Sequence, residues 1–226
     1  MLILAVETAT NWQSVAILDN DQVLATEAFD AGGSHTRLLI PTIDRLFAFL
    51  HLSIRDVTGL AVSMGPGSFT GLRVGLATVK GFRLSLGVPM VAVPTLEGMG
   101  WNLRGESLPV CPMLKARNGT VYWACFKWKG TSLLRVSEDE MGAVETVAGT
   151  IQEPTLCFGD GWLCHQEAFQ HARGNMMLSA SSQAMKPSAV SVGLASRERF
   201  RAGETAPVEV MPRYIQPSYA ESEKQQ

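Results

Sequence analysis

The sequence carries no excess of positive charge. Its 19 Lys and Arg against 21 Asp and Glu leave a formal net charge of −2. A protein that grips nucleic acid alone needs a basic surface, because neutralised phosphates supply most of the affinity. If RNA is the substrate, another component must contribute much of the grip. Cysteine is scarce. Of Cys111, Cys125, Cys157 and Cys164, no two have the C-x-x-C spacing of a zinc or redox motif. Each lies in an apolar run, where a free cysteine is expected to behave as a small core hydrophobe. A chain of 226 residues can bury a core without such staples. No apolar run reaches the roughly 18 residues of a membrane span. The apolar start Met1–Val6 has no charged segment before it, and Glu7, Thr8, Thr10 and Asn11 follow at once. Neither a leader nor a membrane span is expected, and the cytoplasm is the expected location.

Histidine is also sparse, and its placement excludes a zinc-protease pattern. His35 has Leu39 four residues on, His51 has Arg55, and His165 and His171 are six apart, so no H-E-x-x-H occurs. All four are expected at the surface or in structural roles. No G-x-S-x-G elbow is present. Trp12, Trp101 and Trp162 have no basic groove beside them and read as packing residues rather than base-stacking platforms. Arg197, Arg199 and Arg201 are two residues apart, which spreads them around a helix and predicts a solvated face.

The patterning predicts an α/β chain. Leu2–Glu7 reads as a buried strand, and Gln13–Leu18 and Val23–Phe29 as further strands around a polar turn at Asp19–Asp21. A helix follows from about His35 to His51, with Leu39, Ile43, Phe47 and Leu50 on one stripe and Ser34 as its expected cap. Pro41 predicts a kink or a late start. Gly59–Met64 is a strand, broken by Gly65-Pro66-Gly67-Ser68 before a helix running to about Leu86. Val88–Val93 is a strand, and Thr95 caps a helix over Leu96–Leu103.

The polar break Arg104–Ser107 marks the expected boundary, with one lobe over residues 1–104 and a smaller one over 105–226. The second lobe reads as strands at Val110–Leu114, Val121–Trp128 and Leu133–Val136, with a hairpin turn at Asn118-Gly119. Then come a helix at Ala143–Ala148, a strand at Leu156–Phe158, a helix at Leu163–His171, and a last helix opened by Pro187 and ending near Arg201, which is free to pack back on the first lobe. The tail Glu221–Gln226 reads as frayed. Each half gives strands first, then alternating helix and strand. That order resembles the two-lobed duplicated fold of the sugar kinase, Hsp70 and actin (ASKHA) superfamily, with mixed sheets flanked by helices.

The most specific stretch is Gly65-Pro66-Gly67-Ser68-Phe69-Thr70-Gly71-Leu72-Arg73-Val74-Gly75, at a strand-to-helix junction. Gly67, Gly71 and Gly75 are spaced by four and share one helix face. Each helix glycine costs about 1 kcal/mol relative to alanine, so close packing must compensate. The partner of that face is either another protein or this chain's own sheet. A third reading is an anion cradle at the helix start. It lacks the Lys-Ser/Thr ending of a P-loop, and Arg73 falls a turn further in.

This block is similar to the signature of the TsaB (YeaZ) family of tRNA threonylcarbamoyladenosine biosynthesis proteins. The resemblance extends through Leu2–Thr10, Ser34–Pro41, Lys115–Tyr122, Phe158–Gly161, Lys186–Ala189 and Met211–Tyr214. It implies an accessory, non-catalytic subunit. Such a subunit would act with a TsaD-like sister and a TsaE-like ATPase to move a threonylcarbamoyl group onto N6 of the tRNA adenosine beside the anticodon.

It also implies a partner face on the first two helices, here Gly67, Phe69, Gly71, Leu72 and Gly75 with Leu39 and Ile43. Alone, the chain would pair with itself through the same face. tRNA would be met only through the complex, and ATP or ADP would belong to the complex, with no tightly bound cofactor and no metal on this chain. Two departures bear on a cofactor. Relatives carry Asp where Glu7 stands, and Asp-Ala-Arg where this chain reads Lys115-Ala116-Arg117. Glu7 and Arg117 are the two candidate cofactor contacts. The alternative is a stand-alone ASKHA-type ATPase or kinase.

Overall fold

The computed structural model describes residues 1–215. It contains two compact units, one of residues 1–98 joined by residues 187–215, the other of Met99–Lys186. The sequence placed a single boundary at 104/105. The chain instead leaves the first unit and returns to it.

The first unit is built on β1 (Leu2–Glu7), β2 (Trp12–Asp19), β3 (Gln22–Asp30), α1 (His35–Leu50), β4 (Gly59–Ser63), α2 (Phe69–Leu86), β5 (Met90–Val93) and α3 (Thr95–Gly100). Its sheet has the order β3-β2-β1-β4-β5. β1, β2 and β3 form an antiparallel meander. β4 and β5 join β1 in parallel. Strands β1, β2 and β4 are apolar almost throughout because both faces of the sheet are covered. Leu4, Val6, Val15 and Ile17 point to one face and cluster with Leu39, Ile43 and Phe47 of α1 and Leu76 and Val79 of α2.

The second unit carries β6 (Val110–Lys115), β7 (Val121–Trp123), β8 (Phe126–Lys129), β9 (Ser132–Arg135), β10 (Glu140–Gly142), α4 (Val144–Thr150), β11 (Thr155–Phe158), α5 (Asp160–Arg173) and β12 (Met177–Ser179). Its main path is β10-β7-β6-β11-β12, with β8 on β6 and β9 on β8. The Asn118-Gly119 turn forms as read, with φ of 51° and 75° at the two residues. The last helix, α6 (Ala189–Arg201), returns to the first unit. Gly193 sits where a side chain would strike Leu18 and Ala5, so α6 covers the sheet face opposite α1 and α2. The Ala189 N–H donates to the Ser14 hydroxyl at 3.1 Å.

Several local expectations are corrected. α1 starts at His35 and runs through Pro41, whose ring is exposed and removes only one backbone bond. Ser34 gives α1 no side-chain cap; its carbonyl accepts from the Arg37 and Leu38 N–H groups instead. The single strand expected at Val121–Trp128 is two. β10 and β12, three residues each, have too few residues to show a period. Arg197 is buried and paired with Asp21, and Arg199 reaches both Glu97 carboxylate oxygens at 2.8 and 2.9 Å, so of the three arginines expected on a solvated face only Arg201 is exposed. Cys111 and Cys157 are buried, Cys125 is half-buried, and Cys164 is exposed, against the core expected for all four. The tail at 221–226 lies outside the described residues.

Candidate functional site

The glycine signature folds inward. A Cβ at Gly71 would collide with the Thr8 carbonyl, one at Gly75 with the Thr8 hydroxyl, and one at Gly67 with the Ala9 carbonyl. The face without side chains therefore receives the backbone that follows β1. The contact is sealed by hydrogen bonds from the Thr8 hydroxyl to the Gly71 carbonyl at 2.8 Å and from the Ser68 N–H to the Ala9 carbonyl at 2.6 Å. The Gly65 N–H donates to the Thr95 hydroxyl at 3.0 Å, and the Gly71 N–H is capped by Ser68 at 3.3 Å. In an anion cradle these N–H groups would face a ligand. Here the chain itself takes them.

The residues named for a partner face divide accordingly. Leu39, Ile43 and Leu72 are core residues, and Gly71 and Gly75 are buried. Their helix faces hold the first unit together and do not reach solvent. Gly67 and Phe69 are half-buried. Phe69 lies under the Arg73 guanidinium, 3.8 Å from its ring centroid, and stacks on Tyr214 at 4.9 Å. Arg73 Nε donates to the Tyr214 hydroxyl at 3.0 Å. This three-residue stack ties Tyr214 to the head of α2, and the Arg213 N–H donates to the Met64 carbonyl at 2.6 Å.

The outward faces of the same helices carry other residues. On α2 they are Arg73, Ala77, Gly81 and Leu84, with Leu84 77% exposed and open space around Gly81. On α1 they are Ile40 and Phe49, 43% and 75% exposed. Ala77 and Gly81 repeat the spacing of four seen in the signature glycines.

Glu7 ends β1 with its side chain 1% exposed. It accepts the Ala9 N–H at 2.5 Å, closing the turn after the strand. Burial lifts its pKa from 4.5 to about 7, opposed by that hydrogen bond. Among the described residues no three His, Cys, Asp or Glu side chains converge as a metal would require. Arg117, in the second unit, is exposed and lies in the hairpin turn, where its carbonyl accepts from the Thr120 N–H and hydroxyl at 3.0 and 2.6 Å. The Lys115 N–H donates to Asp160 at 2.8 Å, which sets the start of α5 against β6. His35 is buried between the Gln13 side chain at 3.3 Å and the Thr10 carbonyl at 2.8 Å, a structural role. Trp162 is buried and stacked on Phe169, and Trp101 meets Trp128 edge-on.

An antiparallel meander extended in parallel by two strands, with helices on both faces, gives an ASKHA-type fold. Solved structures agree: YeaZ from Pseudomonas aeruginosa superposes with a TM-score of 0.82 at 25% identity, covering 94% of this chain and 99% of that one. ROK hexokinase from Thermus thermophilus shares the fold at a TM-score of 0.55 and 9% identity, covering 90% of this chain and 100% of that one. Residues 29–224 match the family model described as TsaD: tRNA N6-adenosine threonylcarbamoyltransferase, and the chain belongs to that family, within its TsaB (YeaZ) branch. It is 26% identical to the tRNA threonylcarbamoyladenosine biosynthesis protein TsaB of Bacillus subtilis, over 98% of this chain and 97% of that one. It is 28% identical to the TsaB of Escherichia coli, over 92% and 91%. No helix among the described residues is long and apolar enough to cross a membrane.

Proposed function

We propose that this chain is a non-catalytic subunit in tRNA threonylcarbamoyladenosine formation, pairing through the outer face of α1 and α2 with a TsaD-like sister and working with a TsaE-like ATPase. The observation that carries this reading is the division of labour on α2. Its signature glycines are filled by Thr8 and Ala9, so the turn that could cradle a phosphate is closed by the chain itself. Its opposite side presents Ala77, Gly81 and Leu84 to solvent beside Ile40 and Phe49 of α1. Small residues flanked by exposed large apolar ones allow a second helix pair to approach closely, and apolar surface of this kind marks interaction sites. Glu7 supports the same reading: its carboxylate is buried and one of its oxygens closes the turn after β1. tRNA and nucleotide would then be handled by the assembly, in keeping with the net charge of −2. Two copies of this chain would compete for the same face.

The test is the mass of the complex with the TsaD-like subunit by light scattering. Wild type should form the heteromer, and Gly81→Leu and Leu84→Asp should lose it while remaining folded. If wild type forms no heteromer, the accessory reading fails. If both variants pair normally, the face is wrong and the family stands.

A further inference from the structure

Three of the four cysteines lie in one row across the sheet of the second unit. Cys111 of β6 and Cys157 of β11 are paired in register. Cys125 falls in the two-residue gap between β7 and β8. Both of those strands keep a single antiparallel register with β6, Met113 opposite Trp123 and Val110 opposite Phe126. Continuing that register from either end sets Cys125 opposite Cys111 and Ala124 opposite Pro112. The gap has a simple origin, since Pro112 has no N–H to give the ladder.

The backbone of Cys125 turns wholly away from β6. Its N–H donates to the Ser137 hydroxyl at 2.9 Å, and its carbonyl accepts from the Val136 and Ser137 N–H groups at 2.8 and 3.2 Å. Cys111 and Cys125 are therefore a non-hydrogen-bonded antiparallel pair. In such pairs the Cα atoms are about 4.5 Å apart and the side chains are at their closest. Disulfides span Cα separations of about 4.4–6.8 Å, a range that includes the spacing of such a pair.

The two thiols are also unequal. Cys111 is fully buried, whereas Cys125 is half-buried. The hydrogen bond from Cys111 draws the Cys125 thiol below its ordinary value, against the opposing effect of burial. Bonding with Cys125, then with Cys157, and then burial push the Cys111 thiol well up. Cys125 is thus the more readily ionised sulfur, and Cys111 holds its proton.

We propose that Cys125 and Cys111 form a peroxide-oxidisable dithiol site, with Cys125 as the attacking thiol and Cys111 as the resolving one. The Cys125 thiolate attacks one oxygen of hydrogen peroxide. The O–O bond breaks, a sulfenic acid forms, and the departing hydroxide takes up a proton to leave as water. The Cys111 sulfur then attacks the sulfenic sulfur. The S–O bond breaks, the Cys111 proton leaves with the hydroxyl as a second water, and the S–S bond forms. Two thiols lose two electrons and two protons in all, and one peroxide becomes two waters. A thiol reductant reverses the change by exchange.

The test is to treat reduced, full-length protein with stoichiometric peroxide, alkylate it after denaturation, and map its peptides without reduction. Titratable thiols should fall from four to two. The monomer should become two hydrogens lighter, and the joined peptides should carry Cys111 and Cys125. Dithiothreitol should restore all four thiols. Cys164→Ser should leave the yield of the bond unchanged, and Cys125→Ser should abolish it. The wild-type map alone decides the matter should Cys125→Ser fail to fold. Oxidation confined to Cys164, a link of Cys111 to Cys157 with Cys125 still alkylatable, or no loss of thiols would each overturn the proposal.

Discussion

Replacing Glu7 by Gln should remove a pH dependence that wild type carries in its first unit. The carboxyl is 1% exposed, and burial raises its pKa from 4.5 to about 7 in the folded chain. The unfolded chain keeps the ordinary value. Below pH 4.5 both states hold the proton, and Glu7 contributes no slope. Between 4.5 and about 7 the unfolded state releases the proton while the folded state retains it, so stability falls as pH rises. Above about 7 both are ionised and the loss is complete. A shift of that size corresponds to a ceiling of about 3 kcal/mol, at about 1.4 kcal/mol per pH unit. Gln keeps the shape and the carbonyl that accepts the Ala9 N–H, yet cannot ionise.

Urea unfolding of both proteins from pH 4 to 8 gives the difference directly, because every other titrating group is common to the two. At pH 4 they should agree to within about 1 kcal/mol, the worth of one altered hydrogen bond. At pH 8 Glu7→Gln should be the more stable, by up to about 3 kcal/mol. A difference that stays flat over this range, or runs the other way, would refute the reasoning.

The two sides of α2 should respond oppositely to a single methyl group. Gly71→Ala drives a Cβ into the Thr8 carbonyl and should cost about 3 kcal/mol. Gly81→Ala, in open space on an exposed turn, should gain up to about 1 kcal/mol by denaturant midpoint. Ile43→Ala, in the core, should cost about 2–5 kcal/mol while leaving the affinity for a TsaD-like subunit unchanged in the folded fraction. Phe49→Ser, 75% exposed, should do the reverse, weakening the heteromer with little change in stability. A double-mutant cycle of Arg199→Met and Glu97→Gln should give a coupling of about 1 kcal/mol, smaller at high salt.

Strong periodicity carried most of the fold into view. The continuous apolar runs of β1, β4 and β5 are legible from the turn residues that bound them, and α1 from its stripe. β10 and β12 are too short for that, and the break between β7 and β8 depends on Pro112 in a different strand. The site was legible in its location and not in its facing. Spacing by four places Gly71 and Gly75 on one side of α2, with Gly67 in the turn before it, but nothing in the spacing says which side meets the sheet. Thr8 and Ala9 decide that, some sixty residues earlier in the chain. The arginines misled for a similar reason. Their acidic partners Asp21 and Glu97 are far away in sequence, and only the return of α6 brings them near. The thiol row lay hidden because its register is a property of three strands together.

That return has a bearing on how the chain is made. The first sheet emerges from the ribosome early, yet the helix covering one of its faces, with Gly193 against Leu18 and Ala5, is synthesised only after the whole intervening unit. Throughout the translation of residues 99–186 the nascent chain therefore holds an apolar sheet face with nothing laid over it. The intervening unit can fold first on contacts that are all its own. The first unit waits for α6, and a chain truncated before Ala189 would leave that sheet face bare.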